Sequence, residues 1–192
     1  MRSIALATAL ALTTAATASY AAPEKYTLDA SHSQVMFSYN HLGFSTTYNM
    51  FSGFEGEIMF DKESPANSSV SVAMPVKSLF TGWEERFQHF MADDFFGAED
   101  GDMITFTSTS IEVTGEDTAK ITGDLTVNDV TQSVVLDAKM NQSGPNPLNG
   151  KEWVGFDATT VIKRSDFNLG AFVPNVGDEL DVQISIEAGK AE

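Results

Sequence analysis

An all-β fold, an antiparallel barrel of eight strands with one amphipathic helix inserted between strands three and four, is what this sequence predicts. Three observations lead there. Apolar and polar residues alternate in eight separate segments, the period-2 pattern of strands with one face turned from water. Clusters of turn-forming residues separate several of those segments. One stretch alone, Ser78 to Phe96, abandons the alternation for helical spacing. Closing such strands into a barrel removes exposed sheet edges, and eight is the number at which the interior is either just filled or holds one small ligand.

The first strand carries Val35, Phe37 and Tyr39 on one face and Met36 and Ser38 on the other. In the second, Phe54, Ile58 and Phe60 oppose Glu55, Glu57 and Asp61, with Gly56 relieving crowding inside. Val70, Val72, Met74 and Val76 oppose Ser71, Ala73, Pro75 and Lys77 in the third. Phe80, Trp83, Phe87, Phe90 and Met91 then recur at helical spacing. Thr81, with Glu84 and Glu85 behind it, is placed to cap the helix start. Such a stripe needs an apolar surface to cover, and the open end or wall of a barrel supplies one. The fourth strand, Ile104 to Val113, slips its parity between Phe106 and Ile111, which implies a bulge. Ile121, Leu125 and Val127 mark the fifth, and Val134, Leu136, Ala138 and Met140 the sixth. Between them, Asn128 and Asp129 tolerate the positive φ of a primed two-residue turn. Phe156, Ala158, Thr160 and Ile162 share a face of the seventh; Val182, Ile184 and Ile186 share one of the eighth.

No repeat or composition break divides this pattern, so residues 22–192 are expected to form one domain. Residues 1–21 stand apart. Arg2, a run of Ala, Leu and Thr, and the closing Ser19-Tyr20-Ala21 have the form of a secretory signal peptide. The run is too short and too rich in threonine to span a bilayer. Export to a periplasm is the expectation, and the lack of cysteine suits that compartment.

The chain has 11 Lys+Arg against 27 Asp+Glu, a net charge of −16, and losing Arg2 with the leader makes it −17. Such a surface repels nucleic acid and anionic headgroups and favours basic partners. With no cysteine, disulfides, zinc-thiolate sites, iron–sulfur ligation and thiol catalysis are excluded. Fourteen Phe and eight Met lean toward a lined pocket, since such side chains adapt to flexible apolar guests. Alternation by itself leaves a solidly packed sandwich or barrel core open as the lesser alternative.

The three histidines are the candidate chemical groups. His32 and His41 lie nine residues apart, roughly 30 Å in an extended strand. An odd offset also sends them to opposite faces, so they share no metal unless the chain turns back at Asn40–Gly43. His89 stands on the helix with Arg86 three residues before and Asp93 four after, all on one side. That is either an Asp-oriented imidazole or an ion-pair ladder. No G-x-S-x-G, H-E-x-x-H or P-loop supplies a nucleophile or a metal. The acidic run Glu99-Asp100-Gly101-Asp102 fails the EF-hand pattern, because Phe96 and Ala98 fall where oxygen ligands are required.

Seven short motifs occur in order: Tyr26-Thr-Leu-Asp-Ala-Ser-His-Ser33, Asn40-His-Leu-Gly43, Phe51-Ser-Gly-Phe54, Arg86-Phe-Gln-His89, Asp94-Phe-Phe96, Leu125-Thr-Val127 with Val130-Thr131, and Lys163-Arg-Ser-Asp-Phe167. Together they resemble the YceI-like family of periplasmic polyisoprenoid-binding proteins, from about Tyr26 to the last strand. The resemblance implies a lipocalin-like barrel with a hydrophobic tunnel for an isoprenoid chain, and no catalytic set. Asp129 and Asn168 stand where the family usually has glycine; both residue types accept left-handed backbone, so those turns should survive. A proline usual near Asp102-Met103 is missing, which leaves the shape of the acidic loop open.

On this reading the protein is a carrier or reservoir for an isoprenoid lipid and not an enzyme. The tunnel would be lined by Phe37, Phe54, Phe60, Phe106, Leu125, Val127 and Phe156, with Trp83, Phe87 and Phe90 from the helix. His41, Arg86 and His89 would make polar contacts near an opening. No cofactor is required beyond the bound lipid, and no metal. The expected partners are an isoprenoid quinone or polyprenyl lipid, transient contact with a membrane, and a second copy of the chain in a homodimer; nucleic acid is not one. Two rival readings remain: a hydrolase or isomerase of a lipidic substrate using His89 and Asp93, and an acidic periplasmic stress or interaction module.

Overall fold

The first strand expected from the alternation is, in space, the second of two that share one partner. The computed structural model describes residues 22–192; the proposed signal peptide lies outside the described residues. Its strands are β1 (Glu24–Leu28), β2 (Gln34–His41), β3 (Ser45–Phe51), β4 (Glu55–Phe60), β5 (Ser69–Pro75), β6 (Met103–Val113), β7 (Thr118–Val127), β8 (Val130–Pro145), β9 (Glu152–Lys163) and β10 (Glu179–Lys190), with helix α1 at Glu84–Met91. All pairings are antiparallel, in the order β1-β4-β5-β6-β7-β8-β9-β10-β2-β3, and β1 also pairs with β10 to close the barrel.

That order contains eight staves. β10 pairs with β1 at Leu28↔Ala188 and with β2 from Gln34↔Ser185 onward, so β1 and β2 are one stave broken at 29–33. β3 pairs with β2 and β4 with β1, so they form the next stave, broken at 52–54. The eight-stranded barrel is therefore as predicted. The helix numbering needs correcting: α1 lies between β5 and β6, which are the third and fourth of the expected strands and move up by two places because β1 and β3 precede them. The alternation did not announce β1 and β3. β1 has five residues, and β3 turns Thr47 and Asn49 inward beside Phe51, which hides its apolar face.

Several local expectations hold for stated physical reasons. The β6–β7 register shifts between Ser108 and Ser110, the bulge that the parity slip implied. Asn128 and Asp129 have φ of 51° and 59°, and Asn168 has φ 61°, so all three take the left-handed turns in which glycine is easiest. A Cβ at Gly56 would meet the Ser71 carbonyl oxygen at 2.3 Å, so only glycine lets β5 lie this close. The acidic loop closes without its proline: the Glu99 N–H donates to Asp102 Oδ2 at 2.8 Å, and Lys77 Nζ reaches Asp100 Oδ1 at 2.6 Å.

Thr81 does not cap α1. It is buried, and its hydroxyl donates to the Trp83 carbonyl at 2.7 Å and accepts the Trp83 N–H at 3.3 Å. The helix is only eight residues long and buries no side chain fully. Phe80 precedes it, is 64% exposed, and exchanges both backbone hydrogen bonds with Met50 of β3, at 2.7 and 3.1 Å. The wall beside β3 is thus completed by this arch and not by another strand.

Candidate functional site

The barrel's inward residues do not meet across its middle. They enclose a cavity of about 1290 Å³ whose wall is mostly apolar. Tyr26, Leu28, Val154 and Ala188 fill one end on the side of β1, β9 and β10 and belong to the core. The Phe60 ring brackets that plug, edge-on to Tyr26 at 6.0 Å and to Phe156 at 5.8 Å. Above it the hollow begins.

Twelve of the thirteen residues expected around the tunnel line this cavity. Phe37, Phe54, Phe60, Phe106, Leu125, Val127 and Phe156 line it from the strands or, for Phe54, from the residue before β4. Phe37 stacks on Phe51 at 5.6 Å, and the Phe106 ring occupies the space where a side chain at Gly123 would stand. Trp83 and Phe90 line it from the arch, and His41, Arg86 and His89 from the region of the mouth. Phe87 is the exception. It is absent from the cavity wall and packs against the core cluster, because a short helix resting on a barrel must spend part of its apolar stripe on the wall that supports it.

Three elements surround the mouth: α1, the β2–β3 turn and the loop after β9. The Leu42 N–H donates to the Asn175 carbonyl at 3.1 Å, which ties turn to loop. The Phe172 ring lies 6.2 Å from that of His89 and 6.1 Å from that of Phe95, which ties loop to the helical arch. Leu42, Trp83 and Phe172 line the cavity while remaining about half exposed, and Phe44 beside them is 91% exposed. Arg164 fastens the loop from within. Its buried guanidinium donates to the carbonyls of Gly177 at 2.8 Å, Val176 at 3.0 Å and Leu169. Burial draws its pKa below the ordinary arginine value, and Asp178 opposes part of that shift.

Low on the wall the strand pairing is incomplete. β5 pairs with β6 only from Ser71↔Thr107 to Pro75↔Met103, while β6 runs on to Val113 paired with β7 alone. Pro65, Ser68, Ser69, Ile111, Val113 and Thr118 all line the cavity in this region.

The histidines part ways. His32 Nδ1 contacts Asp29 Oδ2 at 2.6 Å at the break between β1 and β2, away from the cavity wall. Hydrogen bonds from His32 and Ser31 hold Asp29 below the usual carboxylate range, and the same contact raises His32. Asp29, His32 and Glu187 place one ligand atom each within 4.8 Å of one another, His32 and Glu187 exposed. His41, at the mouth, is not part of that cluster. His89 does not face Asp93 as the helical offset predicted. The helix ends at Met91, and Nε2 lies 3.5 Å from Asp94 Oδ2 instead, with both side chains about half exposed. An ion pair this open to water is worth little.

Residues the sequence reading missed include Phe51, Phe96 and Phe172, which all line the cavity. Phe51 follows the polar inward positions of β3, and Phe172 sits in an irregular loop with no period to place it.

The sequence profile of the YceI-like domain matches residues 26–188. The chain belongs to the YceI-like family. Protein YceI of Escherichia coli is 39% identical over 167 residues, which cover 87% of this chain and 86% of that protein. The crystal structure of a YceI protein from Campylobacter jejuni superposes with a TM-score of 0.72 at 31% identity, covering 80% of this chain and 90% of that one. A polyisoprenoid-binding domain from Saccharophagus degradans, implicated in plant cell wall breakdown, shares the fold with a TM-score of 0.64 at 16% identity, covering 86% of this chain and 98% of that one. The YceI-like barrel is thus shared with both solved structures, and in this chain the short helix between β5 and β6 lies at its mouth.

Proposed function

We propose that this protein binds and carries an isoprenoid lipid, a quinone or polyprenyl compound, in the periplasm, holding the apolar tail in the barrel and performing no chemistry on it. The observation that carries this reading is the unfilled apolar cavity. At about 1290 Å³ it exceeds the roughly 300–1,000 Å³ of ordinary small-molecule pockets, and it runs along the barrel as a flexible chain requires. Residues 1–21 have the form of an export signal, and the Saccharophagus relative bears the name of a polyisoprenoid-binding domain.

Burying hydrocarbon contributes about 0.8 kcal/mol per methylene-sized group. Ten buried carbons therefore supply roughly 8 kcal/mol gross, of the same order as the cost of association. Tail length should dominate affinity, with the head a smaller influence. The exposed rim of Leu42, Phe44, Trp83 and Phe172 supports transient contact with a bilayer, from which a tail passes into the hollow without crossing water. Against catalysis stands His89, whose one ion pair among the described residues is with a half-exposed Asp94.

Purification without added lipid, followed by solvent extraction and mass spectrometry, should recover an isoprenoid. A series of quinones with one head and lengthening tails should then bind with rising affinity. Equal affinity along that series would sink the proposal.

A further inference from the structure

Residues 22–192 contain two arginines, Arg86 and Arg164, and both line the cavity at its mouth. Neither forms an ion pair among the described residues, in a chain with 27 Asp+Glu against 11 Lys+Arg. Lys25, Lys77, Lys120, Lys151 and Lys190 all do, at exposed positions. Arg164 is the more unusual of the two arginines. It is 7% exposed, and its three hydrogen bonds go to uncharged carbonyls of the mouth loop. A guanidinium carries five N–H donors, so one is left over on each terminal nitrogen. Arg86 is half-buried and gives one N–H to the Thr81 carbonyl at 3.1 Å.

The two belong to one neighbourhood. His41 bridges to Val176, on the loop that Arg164 fastens, and the His89 ring, nearly one helical turn after Arg86, lies 6.2 Å from Phe172 of the same loop. Among the described residues Glu85 is the one carboxylate that lines this end of the cavity. At the other end the sign reverses: Glu116, Asp117 and Asp157 line the wall against Lys62, level with the β6–β7 turn. A buried cation without a counter-ion is costly, because lost hydration is not replaced by an opposite charge. Its planar fork fits the oxygens of a phosphate or carboxylate two at a time, and the low-dielectric walls of a cleft focus its field.

We propose that Arg86 and Arg164 form a subsite for an anionic lipid head, a phosphate or a carboxylate, at the mouth of the barrel. Arg86, on the arch, donates to the head oxygens. Arg164, in the wall, holds its charge behind them and donates from the N–H groups that its loop leaves over. The tail runs down the barrel, and the acidic far end turns away a head that enters the wrong way round. This rests on the lipid-carrier reading and narrows it: of two guests with the same tail, the ionised one is preferred.

The test uses the delipidated full chain at neutral pH and three probes that share one tail: farnesol, farnesoic acid and farnesyl phosphate. At low ionic strength the anions should bind about tenfold more tightly than the alcohol, equivalent to about 1.4 kcal/mol, and high salt should narrow the gap. Preference for only one of the two anions assigns the subsite to that head. Arg86→Gln should remove most of the preference, and Arg86→Lys, which keeps the charge, should restore part of it. Arg164→Gln should act in the same direction; where losing the loop clamp unfolds it, the Arg86 variants on the half-exposed arch decide. Equal affinity for all three probes, or an unchanged preference in folded Arg86→Gln, overturns the subsite and leaves the carrier reading standing. If no farnesyl probe binds the wild type, the carrier reading falls and the subsite falls with it.

Discussion

Leu28, Ala188 and Val154 lie in a row across β1, β10 and β9, and Ala188 and Val154 are 0% and 2% exposed. Further along the same β9 and β10, Phe156, Ile162, Leu180 and Ile184 point the same way and line an empty space. The residue types hardly differ; the neighbours do. At the foot, strands on every side bring side chains to one point, and the aromatic bracket of Tyr26, Phe60 and Phe156 seals it. Toward the mouth, an eight-residue helix with no fully buried side chain replaces a strand. Alternation tells which face looks inward, not whether opposite faces touch.

This contrast can be broken from either end. The largest effect should come from the foot: Leu28→Ala is expected to cost about 2–5 kcal/mol, by lost burial plus the cavity left behind, read from the midpoint of denaturant unfolding. Loss of lipid without loss of stability there would show that the foot is not a structural plug. At the mouth the balance should reverse. Trp83→Glu places a charge on a half-exposed rim, so unfolding should change by less than about 0.5 kcal/mol. Lipid retained through purification should nevertheless fall severalfold, measured by extraction and mass spectrometry, because the tail must then pass an ionised group. Full occupancy in that variant would demote the arch to packing.

The smallest effect should come from the Asp29–His32 contact, which belongs to neither region. His32 is raised by its hydrogen bond to Asp29. Its stabilising contribution is therefore complete below the unfolded value of about 6.5 and lost as pH rises through the folded value. Asp29 is lowered, so its own contribution is present above the unfolded carboxylate value and lost as pH falls through the folded one. Thermal melts of His32→Gln against the wild type should differ slightly near pH 6 and coincide at pH 9. A gap that widened with pH would contradict the pairing.

Most of the fold was legible in the sequence because most staves bury one face only, and a half-buried strand writes its orientation into every second residue. The exceptions are physical. β3 turns Thr47 and Asn49 inward, and α1 ends at Met91, so an offset of four residues from His89 leaves the helix before it reaches a partner. For the site, parity placed the strand residues correctly, since Phe37, Phe106 and Phe156 have nowhere else to point. Helical spacing was less informative: Phe87 shares a stripe with Trp83 and Phe90 but packs on the wall. The rim residue Phe172 was invisible, as loops carry no period.

Beyond Ser71 the wall of the hollow is no longer a paired ladder of β5 and β6. On the carrier reading, a guest too long for the barrel would meet its weakest seam there, between Ser69 and Val113, which both line the cavity. A carrier with such a seam would be a sleeve and not a ruler. Beyond the length that fills the sleeve, each added isoprene unit should leave the grip unchanged.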